Sequence, residues 1–290
     1  MTNHEYLKSI LDEEKIDHTV EETKTTRKEV KDFLVDYYKK EKTVDHIYAG
    51  SIAKGTAIKS KYDIDIGISF NNEDFGTLKE MFDDVKMTLE KEYGKSNTRE
   101  QNVSIRIEKN GHDIDVVPCR KIKNDDTKVN LYLNRKDNNS LQSNLHIHVD
   151  EIKDFSELET IKLLKIWKIR KEIKFKSFGL ELMVKKAFEK QNIIGLDNKF
   201  KYMMEYITDN IDDIVLIDPS NTNNNIAETI KEAHKDRMKK YAKRALKCIE
   251  NDSWENVFDT SNGQCLDKEN SDVLKSVFSR IAAKPYAKVN

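Results

Sequence analysis

Proline and glycine are scarce in this chain, three and nine in 290 residues, so collagen-like and Pro-rich linker architectures are excluded. Few residues remain to break helices, and with 36% charged residues the surface is expected to be laid over long helices. The three cysteines, Cys119, Cys248 and Cys265, are far apart and odd in number; no disulfide framework is implied, and a reducing cytoplasmic setting is expected. No apolar run is long enough to span a bilayer, and the first residues, MTNHEYLKSILDEEK, lack the core of a signal peptide. No membrane partner is expected. Charge of one sign is missing too: 51 Lys and Arg against 52 Asp and Glu leave a formal charge of −1. That argues against wholesale electrostatic binding of nucleic acid, while a local basic cleft stays open.

What the chain does have is concentrated between His46 and Phe70, HIYAGSIAKGTAIKSKYDIDIGISF. A short apolar run breaks at Gly50-Ser51, a small basic turn follows through Lys54, Gly55 and Thr56, and a strand returns carrying Asp63 and Asp65. Side chains alternate along a strand, so both carboxylates share a face, and Ile64, Ile66 and Ile68 share the other. Neighbouring carboxylates repel unless a cation sits between them, and hard oxygen ligands of this kind suit Mg²⁺ or Mn²⁺ together with substrate phosphates. The Gly50-Ser51 turn offers backbone N–H groups and a hydroxyl at a helix start, and Lys54 a positive charge, all suited to a triphosphate. A further carboxylate is available in the strand-like run HDIDVVP, where Asp113 and Asp115 again share a face. Together these stretches read as a metal-dependent phosphoryl-transfer site.

The ordered set G-S-x-A-K-G-T (Gly50–Thr56), D-x-D (Asp63–Asp65) and D-V-V-P (Asp115–Pro118) resembles the polymerase-β-like nucleotidyltransferases. More narrowly it resembles the bacterial cGAS/DncV-like branch (CD-NTases), which is related to the oligoadenylate synthases. Leu163-Leu164-Lys165-Ile166-Trp167 and Lys176-Ser177-Phe178-Gly179-Leu180-Glu181 resemble helical-lobe motifs of that branch, and Asp218-Pro219 with Asn223, Asn224 and Asn225 resembles a later segment of it. The matches run from about residue 46 to residue 227.

The resemblance implies a two-lobed α+β fold, with Asp115 rather than Asp113 as the third ligand of two Mg²⁺ or Mn²⁺ ions and as candidate base for the attacking hydroxyl. It assigns Gly50, Ser51, Lys54, Lys165 and Ser177 to the nucleotide. The implied reaction joins NTPs, ATP among them, into a cyclic di- or trinucleotide with release of pyrophosphate. The product would act as a second messenger in antiphage (CBASS-type) signalling through a separate effector protein, with an activating partner protein or nucleic acid as a further expectation. A linear 2′-5′ oligoadenylate, nucleotide addition to an RNA or tRNA 3′ end, and a non-catalytic nucleotide-binding sensor are the alternatives.

Along the chain, residues 3–40 read as helices with a polar break near Thr23–Thr26, packing on a catalytic lobe at 41–155. Strands are expected at 44–49, 62–70 and 103–107, an amphipathic helix at 75–93, and an Asn110-Gly111 hairpin turn. The Asn-rich segment 121–150 reads as a loop or flap, with His146-x-His148 along one strand face, too isolated a pair to argue for zinc. A helical lobe is expected over 156–290, with Trp167 and Trp254 in its core and an Asp218–Asn225 segment shaping the rim of the site. The Lys-rich stretch 231–247 reads as a solvated helix face.

Overall fold

The computed structural model describes residues 1–16, 19–123, 125–134 and 140–259. In chain order they form α1 (Asn3–Glu13), α2 (Thr19–Tyr38), β1 (Val44–Ala49), α3 (Gly50–Ala53), β2 (Ile64–Phe70), α4 (Leu78–Tyr93), β3 (Thr98–Glu100), β4 (Ile105–Lys109), β5 (His112–Ile122), β6 (Asp125–Tyr132), β7 (Ser140–Ser143) and α5 (Leu145–Lys153). Then come α6 (Leu158–Arg170), α7 (Ser177–Phe188), α8 (Leu196–Asn210), β8 (Ile217–Asp218), β9 (Asn221–Asn225), α9 (Glu232–Glu250) and α10 (Glu255–Phe258). The fold is α+β. It divides into a sheet unit, Leu11–Lys162 with Val215–Ala227, and a helical unit, Met1–Ile10, Leu163–Ile214 and the described residues from Glu228 on. The sheet unit therefore takes in α2 and runs past residue 155, while residues 1–10 go with the helices.

In the sheet unit the strand order is β1-β2-β5-β4-β3, with β6 added to β5 and β7 to β6. Among the described strands only β2 and β5 run parallel; the other pairs are antiparallel. Ile64, Ile66 and Ile68 of β2, Ile105 and Ile107 of β4, and Ile114 and Val116 of β5 form one buried layer. Val30 and Leu34 of α2 and Met81, Phe82, Val85 and Leu89 of α4 cover it. Both helices place apolar residues at three- and four-residue spacing, the pattern that lays one stripe on a sheet. Helix α4 starts with a capping box, Thr77 with Glu80, and stops at Gly94. The hairpin from β4 to β5 turns through Asn110 and Gly111, both at positive φ, as a two-residue type I′ turn requires.

Expectations change at several places. Thr23 and Thr26 do not break a helix: they lie inside α2 and are buried, and Thr26 accepts a hydrogen bond from Asn110 (3.2 Å). The described parts of the segment 121–150 are not a loop, because they supply β6, β7 and the start of α5; residues 124 and 135–139, with part of its Asn-rich stretch, lie outside the described residues. Its polar residues mask an alternation, Val129 and Leu131, which packs with Val117 and Cys119 into a second apolar cluster. His146 and His148 then fall on a helix, begun by Asn144 accepting from the Ile147 N–H (3.0 Å), so residues two apart point away from each other. Cys119 is buried and free, and Cys265 lies outside the described residues.

The helical unit buries Trp167, Leu180, Phe200, Met203, Met204 and Ile207. Phe200 stacks against Phe258 at 5.0 Å and Trp254 at 6.3 Å between ring centroids, so both tryptophans are core residues, as expected. Among the described residues no helix is long and apolar enough to cross a membrane.

Within the sheet unit, Asp218 fastens the β8–β9 hairpin to α5. Its Oδ1 meets His148 Nε2 (2.8 Å) and accepts from the Ser220 hydroxyl (2.7 Å) and N–H (2.9 Å), and Asn224 donates to Oδ2 (3.1 Å). Asp218 and Ser220 (2.9 Å) both approach the same imidazole nitrogen, so the trio is no Ser-His-Asp relay, which needs opposite ring nitrogens. The Asp218–Asn225 segment acts here as a fastening. Burial alone would raise the Asp218 pKa, but the bonds from His148 and Ser220 outweigh it and hold the carboxyl at about 2, below its ordinary 3.8. A depressed carboxylate stabilises the fold above its unfolded pKa, and that stability fades as pH falls from about 4 towards 2. Thermal melts across this range are expected to show a loss on the order of 2 kcal/mol that is missing in Asp218→Asn. Parallel profiles for the two proteins would refute the assignment.

Candidate active site

Strand register assembles the acidic cluster. In the parallel β2–β5 pair, Asp65 is the direct neighbour of Asp115, and in the antiparallel β1–β2 pair it faces Ala49. Neighbouring strands lie about 4.8 Å apart, so the two carboxylates emerge side by side on the face opposite the isoleucines. Asp63 precedes β2, two residues along on the same face, and Asp113 stands two residues before Asp115 on β5. The sequence had placed these four acids on two strands; the register makes Asp115, not Asp113, the partner of Asp65.

At the turn after β1, Gly50 opens α3 with φ +71°. A Cβ there would lie 1.7 Å from Asp65 Oδ2, so only glycine admits the carboxylate against the backbone. Ser51 is half-buried on α3, and its carbonyl accepts from the Thr56 N–H (2.9 Å), which folds Gly50–Thr56 into a compact loop. Lys54 is buried, and its charge acts on Asp65. Burial, then the like charges of Asp115 and Asp63, push the Asp65 carboxyl up to about 7, against the opposing pull of Lys54 and Arg106.

Arg106 was not among the residues singled out from the sequence. It projects from β4 beside its register partner Asp115. Its Nε and Nη2 donate to the two oxygens of Asp115 (2.8 and 2.7 Å), and Nη1 donates to Asp113 (2.8 Å). Nη2 also lies 3.1 Å from Asp63. Gln101 adds a third donor to Asp115 (3.1 Å). The signal for Arg106 was available: in V-S-I-R-I it alternates with Ile105 and Ile107, which are buried on the other face. Three donors on its oxygens leave Asp115 about one of its roughly four lone-pair sites, open to a proton or to a metal ion alike.

Three clustered carboxylates are the right donors for Mg²⁺ or Mn²⁺, and the raised Asp65 marks repulsion that a divalent ion would relieve. Among the described residues no three acidic, His or Cys side chains already converge as a ligand set. The guanidinium of Arg106 bridges Asp63 and Asp115 in that place. The residues fit the ion in kind.

Residues 1–155 match the profile of the Second Messenger Oligonucleotide or Dinucleotide Synthetase (SMODS) domain. The chain belongs to this family. Over 160 residues it is 26% identical to a cyclic AMP-AMP-AMP synthase of Escherichia coli MS 115-1, an alignment covering 49% of this chain and 50% of that protein. The chain thus spans about half the length of that curated relative. Its fold is similar to that of E. coli MS115-1 CdnC in a CdnC:HORMA-deltaN complex, with TM-score 0.72 and 20% identity over 90% of this chain and 98% of the other. It is also similar to Vibrio cholerae DncV, a cyclic AMP-GMP synthase, with TM-score 0.64 and 14% identity over 76% and 70% of the two chains.

The other two expected site residues, Lys165 and Ser177, lie beyond the matched residues 1–155 and belong to the helical unit. Ser177 is exposed and begins α7. Lys165 presents no ammonium to solvent: it is 3% exposed and donates to Glu181 (2.6 Å), itself 1% exposed. The L-L-K-I-W and S-F-G-L-E motifs are thus tied together by their own charges.

Gly50→Ala is expected to drive the Asp65 carboxylate out of place and to lower stability by roughly 1–3 kcal/mol, from a strained φ together with the clash. Chemical denaturation measures the cost, and an unchanged midpoint would show that the loop yields freely.

Proposed function

We propose that this chain is a metal-dependent nucleotidyltransferase that joins NTPs into a cyclic di- or trinucleotide. The observation that carries this reading is the pairing of Asp65 with Asp115 beside the Gly50–Thr56 loop, with Asp63 adjacent. Asp63, Asp65 and Asp115 would hold two Mg²⁺ or Mn²⁺ ions. When bound, the ions supply Lewis acidity, lowering the charge barrier at the α-phosphate and activating a ribose hydroxyl. The hydroxyl attacks the α-phosphate in line and gives its proton to Asp115 or to solvent, the bond to the β,γ-phosphates breaks, and pyrophosphate leaves.

The chain's own residues do the positioning. Gly50 brings backbone close to the Asp65 carboxylate, Ser51 offers hydroxyl and N–H, and Lys54 adds positive charge on the Asp65 side. Arg106 and Gln101 fix the plane of Asp115. Ser177, at the exposed start of the twelve-residue helix α7, suits a phosphate through its hydroxyl and the helix N-terminus. Lys165 serves in this reading by exchanging Glu181 for phosphate when substrate is present.

The product class follows from the family and from the relatives named cyclic AMP-AMP-AMP and cyclic AMP-GMP synthases. A second messenger of this kind acts through a separate effector in antiphage signalling, in the cytoplasm. The HORMA complex of the E. coli relative supports a protein partner as the activator.

Incubation with all four NTPs and Mg²⁺ or Mn²⁺, followed by mass spectrometry, tests the reading. A cyclic nucleotide is expected from the wild type and none from Asp63→Ala/Asp65→Ala. A linear ladder would move the assignment to oligoadenylate synthesis. Clean NTP binding without turnover, even after addition of cell extract, RNA and DNA, would leave a nucleotide sensor.

A further inference from the structure

The bonds made by Arg106 are unequal. Towards Asp115 it makes a short fork, 2.8 and 2.7 Å, onto a carboxylate that is 11% exposed. Towards Asp113 it makes one bond of 2.8 Å. Towards Asp63 it makes a single longer contact of 3.1 Å, on a carboxylate that is 40% exposed. Bidentate, shielded pairs are the strong ones; single, half-exposed contacts are weak. The fork ties the Arg106 side chain to Asp115, its register neighbour on β5. The single contacts to Asp63 and Asp113 can each be given up without undoing the fork, and the one to Asp63 is the longer of the two.

We propose that Arg106 is a positioning residue and the built-in counter-cation of the cluster: it holds Asp115 permanently and occupies Asp63 until a divalent ion takes that carboxylate over. This rests on the metal-site reading of Asp63, Asp65 and Asp115. It explains how a strand end with four acids stays folded without metal, and it implies that the chain alone binds divalent ions weakly, since each ion competes with a guanidinium. Nucleotide phosphates arriving with the ion tip the competition by adding ligands of their own.

The test is equilibrium Mn²⁺ binding to the full chain without nucleotide, read as the loss of the free-Mn²⁺ electron paramagnetic resonance signal. Arg106→Met removes the competing charge while keeping the stem, and is expected to bind Mn²⁺ about three- to ten-fold tighter, the scale of one nearby charge in a largely aqueous site. Arg106→Lys keeps the charge without the fork, and its affinity is expected within about two-fold of wild type. Nucleotidyl transfer falls in both variants, because Asp115 loses its clamp. A merely structural role would weaken metal binding and activity together; Mn²⁺ binding to Arg106→Met that is unchanged or weaker overturns the proposal. Should that variant melt before the measurement, a structure of the wild-type chain with Mn²⁺ decides instead. Asp63 turned from Nη2 onto the ion, with the fork to Asp115 intact, is expected, and Asp63 still bonded to Arg106 beside a bound ion overturns it. Mn²⁺ binding that survives in Asp63→Ala/Asp65→Ala would refute the metal-site reading itself, a result separate from the behaviour of Arg106.

Discussion

Repulsion between like charges is the constraint on which this structure turns. Asp63, Asp65, Asp113 and Asp115 crowd one face of two adjacent strands, and burial alongside its neighbours lifts the Asp65 carboxyl to about 7. Such a cluster holds only if its backbone is fixed by something stronger and its charge is met by cations. The first condition is met on the opposite face, where Ile64, Ile66, Ile114 and Val116 are sealed beneath α2 and α4. A slip of one residue in either strand would turn isoleucines to the acidic face and acids into the core, so the apolar layer also enforces the register that pairs Asp65 with Asp115. Arg106 and Lys54 meet the second condition.

The topology supplies acid and base together. Parallel neighbours such as β2 and β5 cannot be joined by a tight turn and need a crossover. Here the crossover runs through α4, β3 and β4, and β4 returns by the Asn110-Gly111 turn to lie along β5. The path that carries Asp115 to Asp65 therefore delivers Arg106 to Asp115 on the adjoining strand. The guanidinium is a product of the connection.

Much of this was legible from alternation alone. Asp-x-Asp amid isoleucines, a glycine-serine break and a later Asp-x-Asp before Val-Val-Pro located the acidic face and its loop. What stayed hidden depended on contacts between strands. Arg106 looked like one more polar residue of a half-buried strand, since pairing of β4 with β5 is set by register rather than by local sequence. The stretch around Val129 and Leu131 read as loop because asparagines and lysines outnumber its two inward residues, and the sheet edge there is held by partners on β5 and β7. His146-x-His148 was taken for strand because a short run fits either period, and a single Asn144 cap decides for helix. Thr23 and Thr26 looked like a break because threonine is a poor helix former, yet α2 tolerates them where they pack inward.

Lys54 and Lys165 show why a motif position does not by itself fix a role. Both are lysines at family-like positions, and both are buried. Lys54 lies where its charge acts on Asp65 of the acidic cluster. Lys165 is closed over Glu181. A buried pair of this kind returns little net stability, because desolvating two ions offsets their attraction, while removing one partner strands the other at a cost of several kcal/mol. Retaining such a pair is therefore poorly explained by stability and better explained by position: it sets α6 against α7, and with α7 the orientation of Ser177 at its start. On this argument the resemblance in the helical unit is carried first by a structural ion pair, and any contact of Lys165 with phosphate requires Glu181 to be released.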